Sequence, residues 1–390
     1  MRVWVLAIVL TVGGLAGCVT RSPGLRPAIA PAARAPTLAA ITPPNERQEP
    51  SIRLPPAPKV LPTPPVNHDA VDFSDLEGWA RDDHAADFDA FVSSCPLARD
   101  IPTAIVCQRA RTLGRLDEAG ARRFLESNFR PERLPDAGLL TAYYTPIYEA
   151  RSRPGGDFTA PVRPRPADLP HRSNDAGLDR AYADRSVIEA RPARDALAWM
   201  RPEDLFFLQI QGSGVLVFTN GPRLRAVYDG ANGATFLGIA APMRRQGLLL
   251  DQDTSAEKIR GWLSAHRGPD ADAVMRLNPR YVFFRLQPDD GAEPSGAAGL
   301  RLPPGRALAV DPARHAMGEA FWVDATSPSL SGAFPSYRRM AIALDSGGAI
   351  KGNVRADLYM GVGSEAGLEA GRVRHVLHLF RLTPVIEAVP

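Results

Sequence analysis

Past residue 139 the apolar residues of this chain fall in short runs, each ended by glycine, proline or a turn. Leu139 to Tyr144, Tyr281 to Leu286, Ala307 to Val310, Ala320 to Val323, Met340 to Leu344 and Val373 to Leu382 all read as strands. Leu205 to Phe218 reads the same way, interrupted at Gly212-Ser213-Gly214, and Asn220-Gly221 then predicts a hairpin with Arg223 to Tyr228. Helical patterns precede this region: one from Ser74-Asp75 through Leu76 and Trp79, one through Phe88 and Phe91, and one from Ala119 to Asn128 headed by Asp117-Glu118. A later helix is expected where Thr254-x-x-Glu257 forms a capping box ahead of Ile259, Trp262 and Leu263. Residues 155–170 are rich in proline and read as irregular loops. The expectation is a mainly β fold with helices on its N-terminal side and no solenoid repeat.

The 390 residues are 45% hydrophobic and 23% charged, which excludes a wholly disordered, collagenous or coiled-coil chain. Length alone suggests roughly two or three domains. The net charge of +3 does not suggest a dedicated nucleic-acid binder, and no nucleic-acid partner is expected. Met1-Arg2 followed by the apolar Val3 to Ala16 has the layout of a signal peptide and is too short to span a bilayer comfortably. It ends in Leu15-Ala16-Gly17-Cys18, which resembles a bacterial lipobox. That resemblance makes 1–17 a signal peptide and Cys18 the lipidated mature N-terminus, a lipid anchor rather than a span. Val19 follows rather than aspartate, which implies the periplasmic face of the outer membrane. Residues 22–66 carry 13 of the 38 prolines, so 18–66 is expected to be an extended tether.

Cys95 and Cys107 could pair in an oxidising compartment or stay as buried thiols; both readings stand on the sequence. His375 and His378 lie in a strand-like run without other ligands nearby, and no metal or cofactor is expected. Chemistry concentrates between Ala343 and Tyr359, where Asp345, Lys351 and Asp357 accompany Gly347, Gly348 and Gly352. Asp311 follows another strand end in the same manner. Each of these acids could simply cap a turn. The GxxxxGK[ST] phosphate loop, the G-x-S-x-G elbow, the HExxH zinc motif and the EF-hand loop are all missing from the sequence.

Asp345-Ser-Gly-Gly-Ala-Ile-Lys-Gly through Asp357, with Asp311 in Leu308-Ala-Val-Asp-Pro, resembles the three-aspartate signature of the 3D domain. Ala142-Tyr-Tyr-Thr-Pro146, Phe206-Phe-Leu-Gln-Ile-Gln-Gly-Ser-Gly214, Asn232-Gly233 and Asn278-Pro-Arg-Tyr-Val-Phe-Phe284 resemble the rest of the MltA family, the membrane-bound lytic murein transglycosylases of the A type. Ala142 stands where that family's first motif begins with glycine. The resemblance implies a double-psi β-barrel from 68–148 and 285–390, a second small β-barrel inserted at 149–284, and a groove between them for peptidoglycan glycan strands. It implies cleavage of the β-1,4 bond between N-acetylmuramic acid and N-acetylglucosamine, with the muramic acid's own C6 hydroxyl closing a 1,6-anhydro ring.

With an intramolecular nucleophile, one carboxyl group can act first as acid and then as base. The resemblance assigns that task to Asp357, with Asp345 and Asp311 in support. Asp357 then needs a raised pKa, from burial or from a neighbouring carboxylate, and Lys351 is expected to point away from it. Sugar binding is expected at Tyr143, Tyr144, Thr145, Gln211, Gly212, Ser213, Gly214, Gly347, Gly348 and Lys351; the tyrosines read equally well as core. Two rival readings remain: a hydrolase using two carboxylates, and a lipoprotein that binds glycan strands without cleaving them.

Overall fold

The computed structural model describes residues 69–169, 182–219, 221–249, 254–327 and 334–385. The expected signal peptide, Cys18 and the tether lie outside the described residues, as does Asn220. Along the chain the first elements are β1 (Asp69–Ala70), α1 (His84–Ser94), α2 (Ile101–Leu113), α3 (Glu118–Asn128), β2 (Phe129–Arg133) and β3 (Gly138–Thr145). Next come β4 (Ile147–Ala150), β5 (Ala160–Val162), α4 (Arg185–Glu189), β6 (Ala198–Met200), α5 (Pro202–Gln211), β7 (Gly214–Phe218) and β8 (Arg223–Ala231). Then follow α6 (Ala240–Arg245), α7 (Ala256–Ala265), α8 (Pro269–Met275), β9 (Val282–Pro288), β10 (Ala307–Val310), β11 (Ala320–Thr326), β12 (Ser336–Ser346), β13 (Arg355–Val362), α9 (Ser364–Ala370) and β14 (Arg374–Pro384).

Six strands close into a barrel in the order β14-β11-β12-β10-β13-β3, with β3 pairing back to β14. β10 runs parallel to β12, and β13 parallel to β3; the other barrel pairs are antiparallel. In β10, β11 and β12 the alternating side chains are buried on both faces. Phe321, Val323, Tyr337, Ala341 and Ala343 fill the core they share with Leu358 and Leu377, while Trp322, Met340, Ile342 and Leu344 pack with Trp79, Phe88, Phe91 and Phe124 of the helical layer. Burial on both sides is why these strands read as unbroken apolar runs. Cys95 and Cys107 form a disulfide that ties α2 to the turn after α1.

The inserted segment makes a second sheet, β4-β7-β8-β9, with the β7–β8 hairpin in antiparallel register. The β5–β6 ribbon completes a ring around it. Arg151 and Trp199 exchange backbone bonds of 2.9 and 2.8 Å between β4 and β6, and Phe284 N–H of β9 donates to the Arg163 carbonyl at 3.0 Å. Phe206, Leu208, Leu216, Ala226, Met243, Leu263 and Phe284 form its core.

Three local expectations are corrected, and one helix goes unread. Residues 202–211 are helix, not strand. Pro202 at the first turn and Glu203 and Asp204 beside it favour a helix start, and Gly212 ends it in the left-handed region at φ 80°. Because that helix is buried from Glu203 to Gln209, its apolar run carries no amphipathic period to distinguish it from a strand. The segment around Leu76 and Trp79 forms two 3₁₀ turns, Phe73–Asp75 and Trp79–Arg81, rather than a helix. Ser255, not Thr254, caps α7 by accepting from Lys258 N–H at 3.3 Å. Helix α2 escapes sequence reading because only Val106, Cys107 and Ala110 are buried while Ile101 and Leu113 face outward.

Candidate active site

The site begins with strand geometry. Arg355 and Asp357 lie two residues apart on β13 and so share a face. Thr141 of the parallel strand β3 stands in register with Asp357. Gly138 permits this close pairing at the base of β3, because a Cβ there would come 1.5 Å from the Val354 carbonyl oxygen. Thr141 donates its hydroxyl proton to Asp357 Oδ1, and Arg355 Nη2 donates to Thr141 Oγ1 at 2.9 Å. Asp357 opens on a cavity of about 270 Å³. Thr141, Tyr143 and Gly347 to Ile350 line it from the barrel; Gln209, Gln211, Asn278 and Arg280 line it from the insert.

Loss of hydration pushes the Asp357 carboxyl above its ordinary range, and the charge of Asp345 adds to that rise; the Thr141 bond and the Arg355 charge oppose it. Asp345, at the end of β12, is raised by burial too, but its oxygens are engaged. Tyr143 donates to Oδ2 at 2.8 Å, and Ala297 and Ser346 N–H donate to Oδ1 at 2.8 and 2.9 Å. Asp311 behaves differently. Burial works against its charge, yet bonds from Gly352 N–H at 2.9 Å and Ala313 N–H at 3.2 Å, with Lys351 at 3.7 Å, hold its carboxyl below the usual range. It braces the glycine-rich turn from behind and does not line the cavity. Lys351 is exposed beside Asp311, so the cation near Asp357 is Arg355.

Residues 139–285 match the MltA specific insert domain and residues 306–383 match the 3D domain. A crystal structure of a membrane-bound lytic murein transglycosylase from Agrobacterium tumefaciens is 32% identical, with 81% of this chain and 97% of that one covered at a TM-score of 0.69. The lytic transglycosylase LtgG of Burkholderia pseudomallei is 31% identical, with coverages of 82% and 96% and a TM-score of 0.58. The chain belongs to the MltA family, with a C-terminal 3D domain. A curated relative, membrane-bound lytic murein transglycosylase A of Vibrio cholerae, is 29% identical over 247 residues, which span 63% of this chain and 65% of that protein.

Within this MltA-family fold the remaining expected site residues divide. Tyr143, Gln211, Gly347 and Gly348 line the cavity. Gln211 also has a structural bond: its Oε1 accepts from Tyr144 N–H at 3.1 Å, tying α5 to β3. Gly348 leaves room for the Arg280 guanidinium, whose carbon would lie 3.1 Å from a Cβ at that position. Thr145 is buried against the Tyr359 hydroxyl at 3.1 Å, and Tyr144 lies over Gly367 of α9. Neither lines the cavity. Gly212 caps α5, Gly214 packs where a Cβ would come 2.5 Å from Leu208, and residues 212–214 are not among those lining this cavity. Ala142 sits in unbroken strand opposite Leu358, where no glycine is required.

Thr141, Arg355, Arg280 and Asn278 were not singled out from the sequence as site residues. The alternation that puts Arg355 and Asp357 on one face was available; Thr141 needed the β3–β13 register. Arg280 depends on a buried scaffold. Arg185 donates to the Asn278 and Arg280 carbonyls at 2.9 and 2.6 Å, its guanidinium lying over the rings of Phe206 and Tyr281. Asn232 Nδ2 donates to the Pro279 carbonyl at 2.9 Å, and its Oδ1 accepts from Tyr281 N–H at 2.9 Å. The Asn232-Gly233 and Asn278-Pro-Arg motifs thus build one loop from two places in the chain.

Proposed function

We propose that this chain is a lytic transglycosylase that cleaves the β-1,4 bond between N-acetylmuramic acid and N-acetylglucosamine in peptidoglycan, with Asp357 as its single acid and base. Membership of the MltA family supports the reaction class. The observation that carries the mechanism is that Asp357 is the sole carboxylate among the described residues lining the cavity. Its raised pKa favours the protonated form that an acid needs when substrate arrives. Asp357 gives its proton to the glycosidic oxygen as the bond to C1 breaks. The resulting carboxylate accepts the proton of the C6 hydroxyl as that oxygen bonds to C1, closing the 1,6-anhydro ring. A two-carboxylate hydrolase would need a second group free to activate water. Asp345 has its oxygens occupied by three donors, and Asp311 stands behind the turn.

Tyr143, Gln211, Gly347, Gly348 and Arg280 are assigned to holding the glycan, with Asp345 positioning Tyr143 and Asp311 the glycine turn. Lipidation of Cys18 would hold the protein at the periplasmic face of the outer membrane, consistent with the name of the membrane-bound relative. The test is digestion of purified sacculi by the full chain, with muropeptides read by mass spectrometry and Asp357→Asn in parallel. Anhydro ends, one water lighter than hydrolysis products and lost in the variant, are expected. Reducing ends would point to the hydrolase, and binding to sacculi without release to a non-catalytic glycan binder.

A further inference from the structure

We propose that Arg355 is a positioning residue that acts through Thr141 to decide which oxygen of Asp357 carries the transferable proton. The inference rests on the reading of Asp357 as the acid. A guanidinium has five N–H donors and no acceptor. Thr141 Oγ1 therefore receives a bond from Arg355 Nη2 and cannot return one. The hydroxyl has one proton, and it goes to Asp357 Oδ1. An oxygen that accepts this bond is disfavoured as the protonated one, so the acidic proton resides on Oδ2. The same bond then stabilises the carboxylate left after proton transfer, since bonds to an ionised acceptor are stronger than neutral ones.

Arg355 is held in place to do this. Its Nη1 donates to the Ala356 carbonyl at 2.5 Å and reaches the Leu139 carbonyl at 3.5 Å, on the two strands that also carry Asp357 and Thr141. Other groups near Asp357 cannot substitute for the relay. The Tyr143 hydroxyl is given to Asp345, whose charge opposes ionisation of Asp357. Arg280 lines the same cavity but sits against Gly348, and Lys351 is beside Asp311. A guanidinium bonded directly to the carboxylate would favour its ionised form; a threonine between them supplies a directional bond and moves the positive charge one group away.

The experiment measures turnover of uncrosslinked glycan strands by the full chain across pH, for Thr141→Val, Thr141→Ser, Arg355→Gln and the double variant Thr141→Val/Arg355→Gln. Removing the hydroxyl takes away a bond that favours the carboxylate, so the loss of kcat on the alkaline side should move to higher pH. Thr141→Val should lower kcat by roughly 10- to 100-fold with KM within about twofold, a share of what acid–base catalysis supplies. Thr141→Ser should keep both rate and profile. Arg355→Gln should lower kcat roughly fivefold to tenfold, and most of that loss should vanish in the Thr141→Val background, because coupled residues do not add. Arg355→Gln keeps the threonine and so still tests the relay if Thr141→Val does not fold. Additive losses in the double variant, or an unmoved alkaline limb in Thr141→Val and Arg355→Gln alike, would overturn the relay while an inactive Asp357→Asn leaves the acid assignment standing. Cleavage by Asp357→Asn would instead remove the assignment beneath it.

Discussion

The pairing of an aspartate with an arginine under cover of the fold is handled in opposite ways at the helix–barrel seam and in the cavity. Where the helical layer meets the barrel, Arg306 grips Asp82 through two bonds of 2.6 and 2.7 Å and lies 2.5 Å from the fully buried Asp87. Met340 N–H adds a bond to Asp82 at 2.9 Å. Burial resists the charge of Asp82, but these partners outweigh it and lower its pKa. Asp87 is raised well above the usual range, by burial and by the Asp82 charge against the pull of Arg306. In the cavity, Arg355 meets Asp357 only through Thr141, and burial prevails. The two-pronged grip of Arg306 keeps Asp82 in the charged state and fastens the fold. An interposed hydroxyl leaves it able to hold and release a proton.

Replacing Arg306 should break the first arrangement with the largest effect on stability. Arg306→Met strands the buried Asp82 carboxylate, at a cost of about 3–5 kcal/mol, read by denaturant unfolding. Turnover per folded molecule should stay near the parent value, since Arg306 does not line the cavity. Loss of turnover in parallel with the loss of stability would mean that the two regions are coupled. Opening the disulfide by Cys95→Ala with Cys107→Ala should cost roughly 3 kcal/mol, as expected for a loop of this size. That loss belongs to the helical side and should leave the pH dependence of turnover unchanged.

The smallest effect separates the two aspartates by the sign of their pH dependence. Folding raises the pKa of Asp357 above its unfolded value near 3.8, so the folded chain binds the extra proton. Its contribution therefore declines as pH rises from that value through the folded pKa. Asp357→Asn removes the decline and should melt slightly higher than the parent at neutral pH, with the gap closing in acid. Asp82 has the reverse sign: its folded pKa is lowered, and its contribution is present above the unfolded pKa and lost as pH falls through the folded one. Thermal melts of Asp357→Asn and Asp82→Asn across pH check both signs.

Much of the barrel is legible because β10, β11 and β12 bury both faces. Ala307–Val310 coincides with its predicted span, the runs at 320 and 340 fall inside longer strands, and the run from Val373 starts one residue ahead of its strand. The glycine turn with Asp345 and Asp357 stood out because acids, lysine and glycines seldom crowd a plain loop. Helix α5 reads as a strand in the sequence because burial from Glu203 to Gln209 erases its period. Thr145 was carried into the groove by its place in a motif, whereas the fold buries it against Tyr359.

The sequence by itself determined the β-rich class, the two compositional regions of the chain and the carboxylates that could do chemistry. Those are properties of residue type and spacing, which local physics reads directly. Tertiary structure decided which aspartate faces a cavity, which ones are occupied by donors, and that Thr141 and Arg355 stand beside Asp357. These are properties of register between strands more than 200 residues apart. Dehydration, which raises the Asp357 pKa most, exists only once those strands have closed around it.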